Sequence, residues 1–241
     1  MEKKVQTAAV ILAAGSGKRM GTDVPKQFLS LCGEPALTWT LRAFEESSVQ
    51  QSVLVVSSDE AEDFCRREII EKHGFQKVCA FVRGGAERYD SVWNGLTALS
   101  DVMDPSSGYV LIHDGARCLV TPDIIERTLT DAKRCGAAVA SVPVKDTIKR
   151  VDAEGFSAET LQRKTLRQMQ TPQTFSFPLI REAYRKMIEE EPQPDVTDDA
   201  EVLQRMCNRS TFLSEGSYEN LKITTPEDLL LAEAILKNRG Y

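Results

Sequence analysis

Histidine is scarce in this 241-residue chain, which has only His73 and His113, and its six cysteines (Cys32, Cys65, Cys79, Cys118, Cys135, Cys207) never fall in a C-x-x-C pair. Together these absences exclude the usual zinc frameworks and leave reduced thiols, as expected in a cytoplasmic protein. No run approaches the roughly 18 apolar residues of a membrane span. The opening "MEKKVQTAAVILAAG" enters a strand almost at once, leaving no room for a signal peptide, and is too short and acidic for a transit sequence. There is no excess of positive charge either. The net charge of −6 argues against a nucleic-acid footprint, so any bound anion must be held by a local cation cluster. Internal repeats and low-complexity linkers are also missing.

What remains is ordinary globular composition, 41% apolar and 27% charged, enough for one large domain over residues 1–241. Strand and helix patterns alternate along it. Strands are predicted at 7–14, 52–58, 77–82, 109–114 and 137–144. Helices are predicted at 35–47, 59–72, 87–100, 121–136, 179–190, 195–206 and 225–239, with Thr121, Thr197 and the Thr-Pro at 225–226 marking helix starts. Alternation with short connections predicts an α/β fold, Rossmann-like, with a mostly parallel sheet and helices on both faces. The pattern breaks at 146–163, where "DTIKRVDAEGFSAETLQR" reads as a projecting β-hairpin arm. Such an edge is either covered by a second subunit or left as a mobile flap.

The stretch "LAAGSGKRM" at 12–20 follows the first strand. It fails the Walker pattern, because Gly15 and Gly17 are two apart and Lys18 precedes Arg19. It also fails the dinucleotide fingerprint, since Met20 stands at the third glycine and no acidic residue follows at the ribose distance. This argues against a redox or non-catalytic dinucleotide module. A loop wrapped around a nucleoside triphosphate fits better. Small residues, Gly15 and Gly17 among them, let backbone N–H groups approach phosphate. Arg19 offers a planar fork, and Lys26, held behind Pro25, a compact point charge. Two cations beside an α-phosphate describe nucleotidyl transfer.

With "LAAGSGKRMG…PKQFL", six further blocks occur in order: "GGAERYDSVWNGL", "VLIHDGAR", "PVKDTIKR", "TPQTF", "TDDAEVL" and "NLKITTPEDL". Nearly the whole chain thus resembles the 2-C-methyl-D-erythritol 4-phosphate cytidylyltransferases. The resemblance implies transfer of CMP from CTP to that polyol phosphate, release of pyrophosphate, and use of Mg²⁺. It implies transition-state roles for Arg19 and Lys26, and a nucleotide cradle at Ala13, Ala14, Gly15, Gly85 and Ser91. It places Arg163 and Lys222 on the acceptor; Thr147, which begins the arm, is a further candidate for that clamp, and Thr171 a weaker one. It also makes the arm a homodimer element. Ribitol 5-phosphate or another polyol phosphate is the alternative acceptor. Three positions depart from the family's usual pattern. Ala86 stands where Asp is frequent, so that nucleoside contact passes to the backbone. Gly115 replaces Ala and Cys118 replaces Pro, with little consequence expected.

Read from the residues alone, Asp114 ends a predicted strand, where ligands of open α/β sheets lie. It suits Mg²⁺ beside phosphates, with a helix cap as the lesser alternative. Arg117 pairs with Asp114, reaches the acceptor, or makes a structural salt bridge. Lys222 is predicted on a short strand, "NLKIT", where an inward lysine needs an anion.

Overall fold

A computed structural model describes residues 6–15, 17, 21, 24–190 and 195–241. The first strand, β1 (Thr7–Ala13), leads through a 3-10 turn at Lys26–Phe28 into a small hairpin, β2 (Ser30–Leu31) and β3 (Glu34–Pro35). There follow α1 (Ala36–Glu46), β4 (Gln51–Val56), α2 (Asp59–Phe64, continued as a π-helical stretch over Cys65–Glu71), β5 (Val78–Arg83), α3 (Arg88–Val102), β6 (Tyr109–Asp114), α4 (Pro122–Cys135) and β7 (Ala137–Pro143). The arm is β8 (Lys149–Val151) and β9 (Ser157–Thr160), paired antiparallel, with Val151 and Phe156 at its exposed tip. The chain then runs through β10 (Arg167–Ser176), α5 (Phe177–Glu189), α6 (Asp199–Cys207), β11 (Phe212–Glu215) and α7 (Pro226–Asn238).

Seven strands form one sheet in the order β11-β7-β10-β6-β1-β4-β5. Every pairing is parallel except those of β10, which runs antiparallel between β6 and β7. The apolar runs have two faces to bury, and successive residues go to opposite sides. Ile11, Leu54, Val56 and Leu111 join the core with Phe44 and Leu129. Val10, Val53, Val55, Val110 and Ile112 join the other core with Leu96, Phe177 and Tyr184. α3 packs tightly on β1 at Gly95, where an added Cβ would collide with Val10. A third cluster packs Ala232 and Leu236 of α7 against Leu31, Trp39, Leu119 and Ile223. It fixes the segment before α7 against the top of the sheet.

Three sequence expectations are corrected. The ten-residue β10 was not anticipated, because its polar sequence carries Pro172, a residue that argues against a central strand. The register shifts between Met169 and Gln173, so the proline sits where the ladder is interrupted. Residues 220–224 form no strand, since their backbone bonds to loops instead: the Ile223 N–H donates to the Ala116 carbonyl at 2.9 Å. The cap of α6 is Asp198, whose carboxylate accepts from the Glu201 N–H, while Thr197 bonds to the Glu201 side chain. Asp outbids Thr here because its carboxylate reaches the free N–H of the first turn and favours the positive end of the helix.

Candidate active site

The parallel strands β1 and β6 end side by side, and a cleft of about 460 Å³ opens there. Its floor is the end of β1 at Ala14 and Gly15. Lys26, Gly85, Ser91, Asp114 and Lys222 line it as well. The end of β1 is tied to the 3-10 turn by the buried Gln27, whose Nε2 donates to the Ala13 carbonyl at 2.5 Å. Gly17 has φ of +64°, and a Cβ there would lie 3.1 Å from the Lys26 nitrogen, so a glycine lets the loop close on Lys26. Gly85 has no space for a side chain beside Asp90, and its N–H donates to Ser91 Oγ at 3.0 Å. This brings bare backbone to the cleft wall, as expected where backbone meets phosphate or a base.

Lys26 Nζ donates to the Ile223 carbonyl at 2.9 Å. The next residue back, Lys222, donates to Asp114 Oδ2 at 2.7 Å. The irregular segment before α7 therefore meets Lys26 and carries Lys222, two of the three cations that line the cleft among the described residues; the third is Arg88. Asp114 also accepts from Arg88 Nε at 3.3 Å. Burial alone would push the Asp114 carboxyl up, but the charges of Arg88 and Lys222 outweigh it and hold the group well below the usual carboxylate range. Arg88 in turn forks onto Asp199, with both terminal nitrogens at 2.8 Å from its two oxygens. Tyr184 donates to the same carboxylate at 2.6 Å. The chain of contacts Lys222–Asp114–Arg88–Asp199–Tyr184 runs from the cleft into the core.

Beneath Asp114 lies a second, neutral relay. The Asp114 N–H donates to Thr171 Oγ1 at 3.1 Å, and that hydroxyl lies 3.0 Å from His113 Nδ1. His113 Nε2 lies 3.2 Å from the Arg117 carbonyl. A carbonyl can only accept, so Nε2 carries the proton and Nδ1 accepts from Thr171. Burial is the main reason that His113 titrates far down, at about 3.

Of the residues singled out in the sequence, Ala14, Gly15, Lys26, Gly85, Ser91, Asp114 and Lys222 line one cleft. Ala13 backs it and Gly17 abuts Lys26. Arg19 lies outside the described residues. Thr171 is buried one layer below and supports Asp114. Arg117 forms no ion pair with Asp114; its terminal nitrogens donate to the carbonyls of Asn220 and Met169 at 2.9 and 3.3 Å. Thr147 and Arg163 stand exposed at the base of the arm, where Arg163 donates to the Lys145 carbonyl at 2.6 Å, and neither lines the cleft of its own chain. Arg88 and Asp199 received no role from the sequence, although "GGAERYDS" and "TDDAEVL" contain them; their partnership spans 111 residues. Ala86 does line the cleft. Cys118 is buried, its thiol pushed up to about 12 by desolvation.

Among the described residues no three His, Cys, Asp or Glu side chains gather as a metal cage. A single buried carboxylate facing a cleft still fits Mg²⁺, which takes one or two protein carboxylates and completes its shell with phosphate oxygens and water. No helix among the described residues is long and apolar enough to cross a membrane.

Comparison with known proteins adds an independent line. The family model for 2-C-methyl-D-erythritol 4-phosphate cytidylyltransferase matches residues 7–238. The enzyme of that name from Alkaliphilus oremlandii is 47% identical over 240 residues, covering 99% of this chain and 98% of the relative. The one from Pelotomaculum thermopropionicum is 45% identical, covering 97% and 95%. Among solved structures, the 4-diphosphocytidyl-2C-methyl-D-erythritol synthase of Anaerococcus prevotii superposes with a TM-score of 0.81 at 31% identity, covering 97% of this chain and 99% of that one. The Thermus thermophilus cytidylyltransferase gives 0.74 at 32% identity, covering 95% and 98%.

Proposed function

Because the chain belongs to the 2-C-methyl-D-erythritol 4-phosphate cytidylyltransferase family, it is a nucleotidyltransferase, and we propose that the cleft above β1 and β6 moves CMP from CTP to 2-C-methyl-D-erythritol 4-phosphate. This is a step towards isoprenoid precursors. One observation carries the assignment of the site: Lys26, Asp114 and Lys222 converge on a cleft whose wall is backbone at Ala14, Gly15 and Gly85.

An oxygen of the acceptor phosphate attacks the α-phosphorus of CTP in line. The new bond is O–Pα, the broken bond is Pα–O to the β-phosphate, and pyrophosphate leaves with the electron pair. A phosphate monoester is already largely dianionic at neutral pH, so no strong base is required. Positioning and charge neutralisation do the work. Backbone at Ala13, Ala14, Gly15 and Gly17, with Gly85 and Ser91, holds the nucleotide. Lys26, together with Arg19, offsets the charge gathering on the α-phosphate. Lys222 turns from Asp114 to the acceptor phosphate. Asp114 would hold Mg²⁺, which would supply further charge neutralisation for the triphosphate. Two clamp residues, Thr147 and Arg163, stand away from this cleft at the base of the arm. A homodimer in which each arm reaches the partner's cleft gives them an acceptor to hold.

The test is Lys26→Ala in a pyrophosphate-release assay with four nucleotides and two acceptors, methylerythritol phosphate and ribitol 5-phosphate. Turnover with CTP is expected to fall by about 10²–10³ while the melting temperature stays at the parent value. Near-parent turnover in a folded variant removes Lys26 from the mechanism. A preference for ribitol 5-phosphate in the parent overturns the acceptor.

A further inference from the structure

We propose that Asp199 is a positioning residue for the transfer. By taking both terminal nitrogens of Arg88 it keeps that guanidinium from cancelling Asp114, so the Asp114 carboxylate remains available to the cleft. The inference rests on the reading of the cleft given above.

Arg88 is the first residue of α3, and its planar head lies between two carboxylates. The contacts are unequal. Asp199 receives two parallel bonds at 2.8 Å, the fork geometry that makes arginine–carboxylate pairs strong. Asp114 receives one bond from Nε, at 3.3 Å, longer than charge-assisted bonds usually run. Burial explains the division. Asp199 is fully buried, whereas the Asp114 side chain keeps 11% of its surface open to the cleft. An unpaired charge costs more at the drier position, so the fork goes there.

Asp199 is itself fixed. It opens α6 directly after the capping Asp198, and Tyr184, also fully buried, donates to it at 2.6 Å. Gln173 of β10 braces the same turn, donating to Asp198 at 2.9 Å and accepting from the Ala200 N–H at 2.9 Å. Lys222, the other cation on Asp114, is a flexible side chain with 35% of its surface exposed and is free to follow a phosphate. When it does, Asp114 is left with the single long contact to Arg88. Without the charge on Asp199 the guanidinium has one carboxylate left to fork onto, and that carboxylate is Asp114.

The experiment measures kcat and KM for CTP in the full-length enzyme, with thermal melts as the check on folding. Asp199→Asn is expected to lower kcat by about 10- to 100-fold, while KM for CTP changes little because the backbone cradle is untouched. The double variant Asp199→Asn/Arg88→Gln removes the misdirected cation and is expected to be more active than Asp199→Asn alone. A merely structural Asp199 predicts the reverse, since the double variant deletes more native bonds. Asp114→Asn in the same assay separates two failures. If it keeps parent turnover, the reading of the cleft falls and this inference with it. If it is inactive while folded Asp199→Asn matches the parent, or the double variant is no better than the single, the role of Asp199 alone is overturned. Should Asp199→Asn not fold, Tyr184→Phe decides. It keeps both charges and the fork, so the melting temperature should drop while kcat/KM stays within about twofold. A loss of about tenfold or more there would make the whole cluster scaffold and refute the proposal.

Discussion

Lowering the pH from 8 to 5 is expected to remove about 2 kcal/mol of folding stability through one side chain, His113. The ring is fully buried, edge-on to Phe44, and bonded at both nitrogens in one neutral tautomer. In the unfolded chain it takes up a proton near pH 6.5. In the folded protein desolvation delays that to about 3, although the Asp114 charge pulls the other way. Between those values the unfolded state binds more protons. The contribution is therefore complete above pH 6.5 and is lost as pH falls towards 3, at about 1.4 kcal/mol per unit. Asp114, held low, adds its own loss only below the ordinary carboxylate range, so the window between pH 6.5 and 5 isolates the histidine. Urea midpoints across that window should fall with this slope, and His113→Gln should flatten it. The chain has only two histidines, so imidazole NMR signals can be assigned with a His73 variant. A His113 signal that titrates near 6.5 in the folded protein would refute the reasoning.

Two further outcomes follow from burial and exposure. Cys65 and Cys118 are buried, with thiols pushed up to about 12, so iodoacetamide at pH 8 should modify the exposed Cys79 and Cys135 and spare them until urea is added; an adduct on either in folded protein, read by peptide mass, contradicts this. On the arm, Phe156 and Val151 keep 72% and 63% of their surface exposed; the homodimer proposed above expects Phe156→Asp to shift light-scattering mass from two chains to one, and a one-chain parent or an unchanged dimer mass in the variant removes the arm from an interface.

The strands that could be read locally are those whose side chains are apolar on both faces. β1, β4, β6 and β7 are of that kind, and their buried patterns follow the sequence directly. β10 is buried over its second half, from Gln170 to Phe175, but carries Gln170, Thr171, Gln173 and Thr174 there. Each polar group there finds a partner far along the chain: Gln170 on the Ser217 carbonyl, Thr171 on Asp114, Gln173 on Asp198, Thr174 on Thr128. Local hydropathy contains no trace of such bonds, which is why the strand was missed. "NLKIT" fails in the opposite sense. Its alternation suggests pairing, yet Asn220 sends its side chain to the Thr171 carbonyl and Ile223 bonds to Ala116, so no strand forms. In the site, Lys26 and Asp114 were legible because Asp114 closes the apolar strand β6 and Lys26 follows the glycine-bearing loop that leaves β1. Arg88 and Asp199 were not, because what makes them matter is each other.

The placement of β10 also governs the order in which this sheet can be built. β6 precedes it by more than fifty residues, and its final neighbour on that side does not exist until the chain has made α4, laid down β7, travelled out along the arm and returned. Synthesis delivers the N-terminal strands first. A nascent chain halted within the arm therefore presents Val110, Leu111 and Ile112 on an open edge, a template for pairing with other chains. It also has no Thr171 below Asp114 and no Lys222 above it. The vulnerable interval in the life of this protein is the passage of the arm through the ribosome, and chemistry begins only after the last quarter of the chain has emerged.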